Sequence, residues 1–173
     1  MASRRCCWGC PSPDRTAARR ARSRGSPDHR PYLENHVPVL AIADRIGIED
    51  LLTALCRAVD DRDPDRLGEL VVPDVHFDMG HAVLEGRQVV IDAFRARAQD
   101  LSFTARHTWS NLTVEAVGDD HATVTSIFAT FAHLRNGDAI TPVWRAGDTR
   151  DRMVRESDGR WLLAAREMRA VLP

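Results

Sequence analysis

Lysine is absent from this chain. All 24 basic residues are arginine, a bias we attribute to a GC-rich genome rather than to chemistry. Tyrosine occurs once, as Tyr32. No apolar run approaches the ~20 residues that span a bilayer, so no membrane partner is expected. Of the four cysteines, Cys6, Cys7 and Cys10 crowd the extreme N-terminus and only Cys56 lies further on. The C-C-x-x-C spacing lacks the second ligand pair of a zinc module and has no histidine beside it. Reduced thiols in a cytoplasmic protein are therefore expected, rather than disulfides or a metal centre. No nucleophile triad, phosphate-binding loop or metal-ligand spacing occurs, and His76 and His81, five apart, make a weak pair. Neither a cofactor nor a metal is expected.

What is present is ordinary in amount and uneven in distribution. At 173 residues, 43% hydrophobic and 28% charged, the chain has room for one domain with a proper core. The net charge of −1 conceals a split: residues 1–36 carry eight Arg against three acids (+5), and the remainder sixteen Arg against twenty-two acids (−6). An acidic folded part argues against nucleic acid as its partner. Residues 1–36 nearly lack aliphatic side chains and are rich in Arg, Pro, Ser and Gly. They offer too little apolar surface to offset their ordering entropy, which predicts a disordered leader ahead of a domain over 37–173. No apolar h-region follows the Arg pair, so the leader does not read as a secretory signal. Its composition also fits a transit peptide; the simpler reading is a disordered leader, or a true start near Val37 or Val39.

The rest is organised around "IGIEDLLTALCRAVDDRDPDRLGELVVPDVHFDM" (46–79). Ile48, Leu51, Leu52, Leu55 and Val59 recur on a 3.6-residue period, which predicts an amphipathic helix capped by Asp44. Asp60 falls at its end, on the flank of the apolar stripe beside Cys56. Asp63 as N-cap and Pro64 at the first helical position start a second helix, reaching about Val71 and ending before Pro73. Val75, Phe77 and Met79 then alternate with His76 and Asp78 as a strand, and "HAVLEG" returns as a short strand or loop. A third helix, about Arg87 to Gln99, buries Val90, Ile91, Phe94 and Ala98. From there the pattern is strand: Thr104–Ala116, Ala122–Arg135, Val143–Glu156 and Trp161–Val171. The turns between them, "VGDD", "RNGD" and "SDGR", each set Gly beside Asn or Asp. Helices followed by hairpin-linked strands predict an α+β domain, not a parallel α/β one. His107, Trp109 and Asn111 share one face while Leu112 and Val114 belong to the other. This switch of parity predicts a β-bulge or bend near Asn111, of the kind that curves a sheet around a cavity.

The order of elements, with "AVDDRDPDRLGELVVPDVHFDMG" (58–80), "LEGRQVVIDAF" (84–94), "TARHTWSNLTVEAVGDDHATVTS" (104–126) and "DTRDRMVRESDGRWLLAAREM" (148–168), resembles the nuclear transport factor two-like superfamily and, within it, the SnoaL-like group. The resemblance covers about Ile46 to Val171. It implies a cone-shaped α+β domain whose strongly curved mixed or antiparallel sheet wraps three N-terminal helices. It also implies a site. Asp60 matches the aspartate that ends the first helix in the dehydratase-like members, and His107 the histidine of their TxxH strand motif, which points into the cone. In those relatives the imidazole is general base and acid and the carboxylate orients it. That is sound chemistry, since histidine moves protons near neutral pH and a carboxylate on its far nitrogen fixes the tautomer. Taken singly, Asp60 is a helix-end carboxylate and His107 a satisfied strand histidine; their joint match selects the dyad.

The dehydratases carry tyrosines near the aspartate, where this chain has Leu55 and Val59. A carbonyl-polarising donor must then be Asn111, Thr130, Trp144 or a water. With Trp109, Phe128 and Phe77 these form the expected substrate-binding set, and His76, Asp78 and His133 are weaker candidates. The implied function is a cofactor-independent lyase, isomerase or cyclase acting on a hydrophobic, polyketide- or steroid-like small molecule. The alternative is a non-catalytic module of the same fold that binds a small molecule or a partner. A third class is a subunit partner, as in the small subunits of ring-hydroxylating dioxygenases. An Asp60 carboxylate in hydrogen-bond reach of His107, opening on an unfilled cavity, favours the enzyme; a cavity plugged by Trp109, Phe128 or Trp144 favours the second. Outward-facing Ile127, Phe131 or Leu162 predict a homodimer or higher homo-oligomer.

Overall fold

A computed structural model describes residues 40–172; the Arg-rich leader expected over 1–36, with its three cysteines and Tyr32, lies outside the described residues. Three helices and six strands follow in the order α1 (Ile42–Asp60), α2 (Pro64–Glu69), β1 (Val71–Asp78), β2 (Val83–Glu85), α3 (Arg87–Ala98), β3 (Phe103–Ala116), β4 (His121–Asn136), β5 (Ala139–Arg155) and β6 (Trp161–Leu172). The strands form one open mixed sheet, β2-β1-β6-β5-β4-β3. Only β1 and β6 run parallel; every other pair is antiparallel. The α+β class expected from the sequence is what the chain adopts.

The apolar stripe of α1 makes the core. Ile48, Leu51, Leu52, Leu55 and Ala58 are buried against Val71, Val75, Val124, Met153 and Leu163 from four strands, while Val59 is only half-buried. Helix α1 begins two residues ahead of Asp44, so Asp44 is not its cap. It sits in the first turn, where a carboxylate suits the helix dipole, and accepts hydrogen bonds from Arg155 Nη1 (2.9 Å) and Trp161 Nε1 (3.1 Å). These tie the start of α1 to β5 and β6.

Helix α2 is shorter than expected. Asp63 accepts from the Arg66 backbone N–H (2.9 Å) as predicted, but the helix stops at Glu69. Val71 and Val72, both buried, belong instead to β1. Two β-branched residues gain more by packing against β6 than by extending a six-residue helix. Pro73, which cannot donate to a ladder, falls where the β1–β6 register shifts. Strand β5 starts earlier than expected because the "RNGD" turn is a two-residue loop: Asn136 pairs with Ala139, and Gly137 takes φ 59°. Near Asn111 the bulge is present. The β3–β4 register shifts between Ser110 and Thr113, and Asn111 itself has φ 53°. Another shift lies at Gly147, where an added Cβ would come within 2.0 Å of the Arg169 carbonyl oxygen. Leu162, expected on the exposed outer face, is buried.

Candidate active site

Asp60 and His107 meet at the sheet's edge. β3 is an edge strand, so half of its backbone N–H groups have no partner strand. The last residue of α1 supplies one: both Asp60 carboxylate oxygens accept from the His107 backbone N–H (3.2 and 3.1 Å), and Oδ1 also accepts from ring Nδ1 at 2.6 Å. The two side chains are only 9% and 19% exposed. Nδ1 is thereby fixed as the protonated nitrogen, leaving the lone pair on Nε2. The turn after Asp60 braces this contact. Arg62 is held at φ 59°, and its guanidinium donates to the Ala98 and Phe103 carbonyls, both at 2.8 Å. The end of α1, the end of α3 and the start of β3 are pinned together.

His107 opens on a cavity of about 730 Å³ between the helices and the sheet, within the range of small-molecule sites. Leu52, Leu55, Phe77, Phe94, Trp109, Phe128 and Met168 supply its apolar wall. At its base the Arg166 guanidinium lies 5.8 Å from the Phe77 ring and forms a fork with Asp151, Nε to Oδ1 at 2.9 Å and Nη2 to Oδ2 at 2.7 Å. Asp151 is fully buried. Beside the fork the Ser126 and Thr149 hydroxyls hydrogen-bond at 2.7 Å. Arg97 lies over the Phe103 ring (5.1 Å) and, with Arg145, also lines the cavity.

Burial is the main influence on His107, and it disfavours the cation. Asp60 works the other way through its hydrogen bond and its charge, and Arg97 and Arg166 add to burial. The net effect is a pKa below the ordinary 6.5, so the imidazole is neutral at pH 7 and able to take a proton. The expectation from the Asp60 contact alone would be an upward shift; the buried setting reverses it. Burial likewise raises the Cys56 thiol, with Arg166 opposing, which keeps this cavity cysteine protonated. Burial works against the Arg166 cation too, but the Asp151 carboxylate outweighs it and the guanidinium stays charged.

Of the sequence-derived site residues, Asp60 and His107 are in contact, and Phe77, Trp109, Phe128 and Thr130 line the cavity. Trp109 does not plug it; its Nε1 donates to Thr53 Oγ1 at 3.3 Å. Asn111 and Trp144 are elsewhere. Asn111 is the exposed residue of the bulge, turned out by its left-handed backbone. Trp144 is 68% exposed and packs edge-on against Phe131 (6.2 Å); its neighbours Val143 and Arg145 face the cavity, so the two-residue strand period turns it outward. His76 pairs with Glu85 (2.8 Å) and Asp78 caps the Gly80 N–H, outside the cavity. Sequence reasoning missed Arg166, Asp151, Thr149, Ser126, Arg97 and Arg145. Among the described residues no group of three or more His, Cys, Asp or Glu is placed to hold a metal, and no helix is long and apolar enough to cross a membrane.

No curated protein matches the chain. Solved structures do resemble it. A hexachlorocyclohexane dehydrochlorinase (LinA, type 2) superposes with a TM-score of 0.66 at 21% identity, covering 75% of this chain and 86% of that one. ActVI-ORFA from Streptomyces coelicolor gives 0.62 at 18% identity, over 73% and 96%. A protein of unknown function with a cystatin-like fold from Nostoc punctiforme gives 0.64 at 19%, over 78% and 97%. At these identities the likeness is one of fold. The SnoaL-like domain model matches residues 41–167, nearly all of the described part, and the chain belongs to that family.

Proposed function

We propose that this protein is a cofactor-independent lyase, isomerase or cyclase that moves a proton on a hydrophobic small molecule. The observation that carries this is the 2.6 Å contact between Asp60 and a His107 ring that borders a cavity of about 730 Å³. Nε2 of the neutral imidazole takes a proton from a carbon beside a carbonyl, and the electron pair moves into the C–C bond to form an enolate. Asp60 holds the tautomer and offsets the imidazolium charge. In place of the dehydratases' tyrosines, the enolate oxygen would be met by Thr130 or by Arg166, whose Nη1 is not engaged by Asp151. The imidazolium then returns the proton, either to another carbon (isomerisation) or to a departing hydroxyl, which leaves as water (dehydration). Dehydrochlorination, the activity of the hexachlorocyclohexane dehydrochlorinase that shares this fold, also involves removal of a proton from carbon. The free thiol of Cys56 fits a cytoplasmic setting, and the exposed Ile127, Phe131 and Trp144 fit a homodimer formed through the outer sheet face.

Hydrogen–deuterium exchange tests the chemistry without knowledge of the natural substrate. Aryl ketones and β-hydroxyketones that fit the cavity are incubated with enzyme in D2O, and loss of the α-proton is read by NMR. Exchange by the wild type should exceed that by His107→Ala about 10²–10⁴-fold, the usual contribution of a general base. Equal rates, with ligand binding intact, would favour the alternative of a binding module.

A further inference from the structure

The cavity wall has a charge pattern that proton transfer on a neutral molecule does not require. Among the described residues four arginines (Arg97, Arg145, Arg166 and Arg169) line it, and no Asp or Glu does. Arg166 is neutralised by Asp151 and His107 is backed by Asp60. Arg97 and Arg145 have no ion-pair partner among the described residues. They come from separate elements, the last turn of α3 and the part of β5 that extends beyond β6. At Arg97 burial works most against the cation, the nearby Arg145 charge adds to it, and the Asp60 carboxylate opposes both. The dipole of α3, the Phe103 ring and the Asp60 charge account for a cation at 97; none of them accounts for a second guanidinium on β5.

Register gives the position. His107 pairs with Thr130, and Thr130 with Arg145. The three lie in one row across β3, β4 and β5, spaced by about 4.8 Å per strand. The Arg145 backbone is thus roughly 10 Å along the sheet from that of His107, and a planar acceptor held between Arg97 and Arg145 would sit at the cavity mouth, where Arg145 is exposed. The apolar wall of Phe128, Trp109 and Leu52 lies inward of it.

We propose that Arg97 and Arg145 bind a carboxylate of the substrate, so that the molecule acted upon is an organic acid: an apolar ring system with its carboxylate at the mouth and its acidic carbon several bonds away at His107. This rests on the cavity being a substrate site, as proposed above. Guanidinium–carboxylate pairing is charge-assisted and bidentate, and it relieves the repulsion between the two arginines.

Isothermal titration calorimetry on the full chain compares naphthalene-2-carboxylate with its neutral isostere naphthalene-2-carboxamide. The acid should bind about tenfold or more tightly than the amide. That preference should shrink with added salt, fall in Arg97→Gln and Arg145→Gln, recover in Arg145→Lys, and persist in His107→Ala. Equal affinity for the two compounds, no binding of the acid, or a preference unchanged in both glutamine variants would overturn the proposal. So would its loss in His107→Ala, which would make the histidine the anion's partner. The dyad is tested by exchange and by histidine titration, neither of which uses these probes, so failure here and failure there are separable.

Discussion

Asp151 shows how much a single buried charge can depend on its partner. It is fully buried, and both of its oxygens are taken by Arg166. Burying a carboxylate and a guanidinium together gains little over an apolar pair, but removing one member strands the other. Asp151→Asn should therefore lower stability by roughly 3–5 kcal/mol, read from the urea midpoint. A loss under about 1 kcal/mol would mean that water reaches Arg166 freely and that the pair is a surface feature. The same pair sets what Arg166 can do in the cavity. With Nε and Nη2 held by Asp151, the guanidinium is fixed in orientation, and its remaining nitrogen is available to a developing oxyanion without reorganisation.

At the scale of elements, what was legible in the sequence followed from periodicity. The stripe of α1, the Asp63–Pro64 start of α2, the three Gly-containing turns and the parity switch near Asn111 each have a local physical signature, and each is present. Asp60 and His107 could be paired before the structure because a family pattern supplied the contact that spacing alone does not. What stayed hidden depends on register between distant strands. Arg166 reads as an ordinary charged residue because the β5–β6 register shifts between Arg152 and Met153; the parity of its strand, counted from buried Trp161 and Leu163, breaks just before it. Asp151 reads as one of many charges in "DTRDR", although Thr149, Asp151 and Met153 are all buried and alternate as an inner face. Trp144 suits a cavity wall by its chemistry, but the parity set by cavity-lining Val143 and Arg145 puts it outside. Val71 belongs to β1 rather than to the end of α2 for a related reason: a helix limit set by Pro73 ignores how strongly the β-branched Val71 and Val72 favour a buried strand.

At the scale of the molecule, two surfaces remain to be accounted for. The outer face of the sheet exposes Ile127 (37%), Phe131 (53%) and Trp144 (68%), the last two in edge-on contact. A monomer rarely leaves such residues together in water. Light scattering should give a dimer mass at micromolar concentration, and Phe131→Asp should convert it to a monomer with little loss of secondary structure. A monomer mass for the wild type would contradict the dimer. The inner surface is the cavity, and its defining property is the state of His107, which no single element sets. Asp60 from α1 favours the imidazolium; burial between helices and sheet, Arg97 from α3 and Arg166 from β6 oppose it, and the opposition prevails. A base needed in its neutral form loses activity as pH falls through its pKa, so the acid limb of the rate profile should lie below pH 6.5. The most direct measurement is an NMR titration of the His107 ring in the wild type and in Asp60→Asn. The account predicts a wild-type pKa below 6.5, shifted lower still in Asp60→Asn because the one group favouring the cation has lost its charge. An unchanged His107 titration in Asp60→Asn would contradict it, and would reduce Asp60 to a carboxylate that ends a helix.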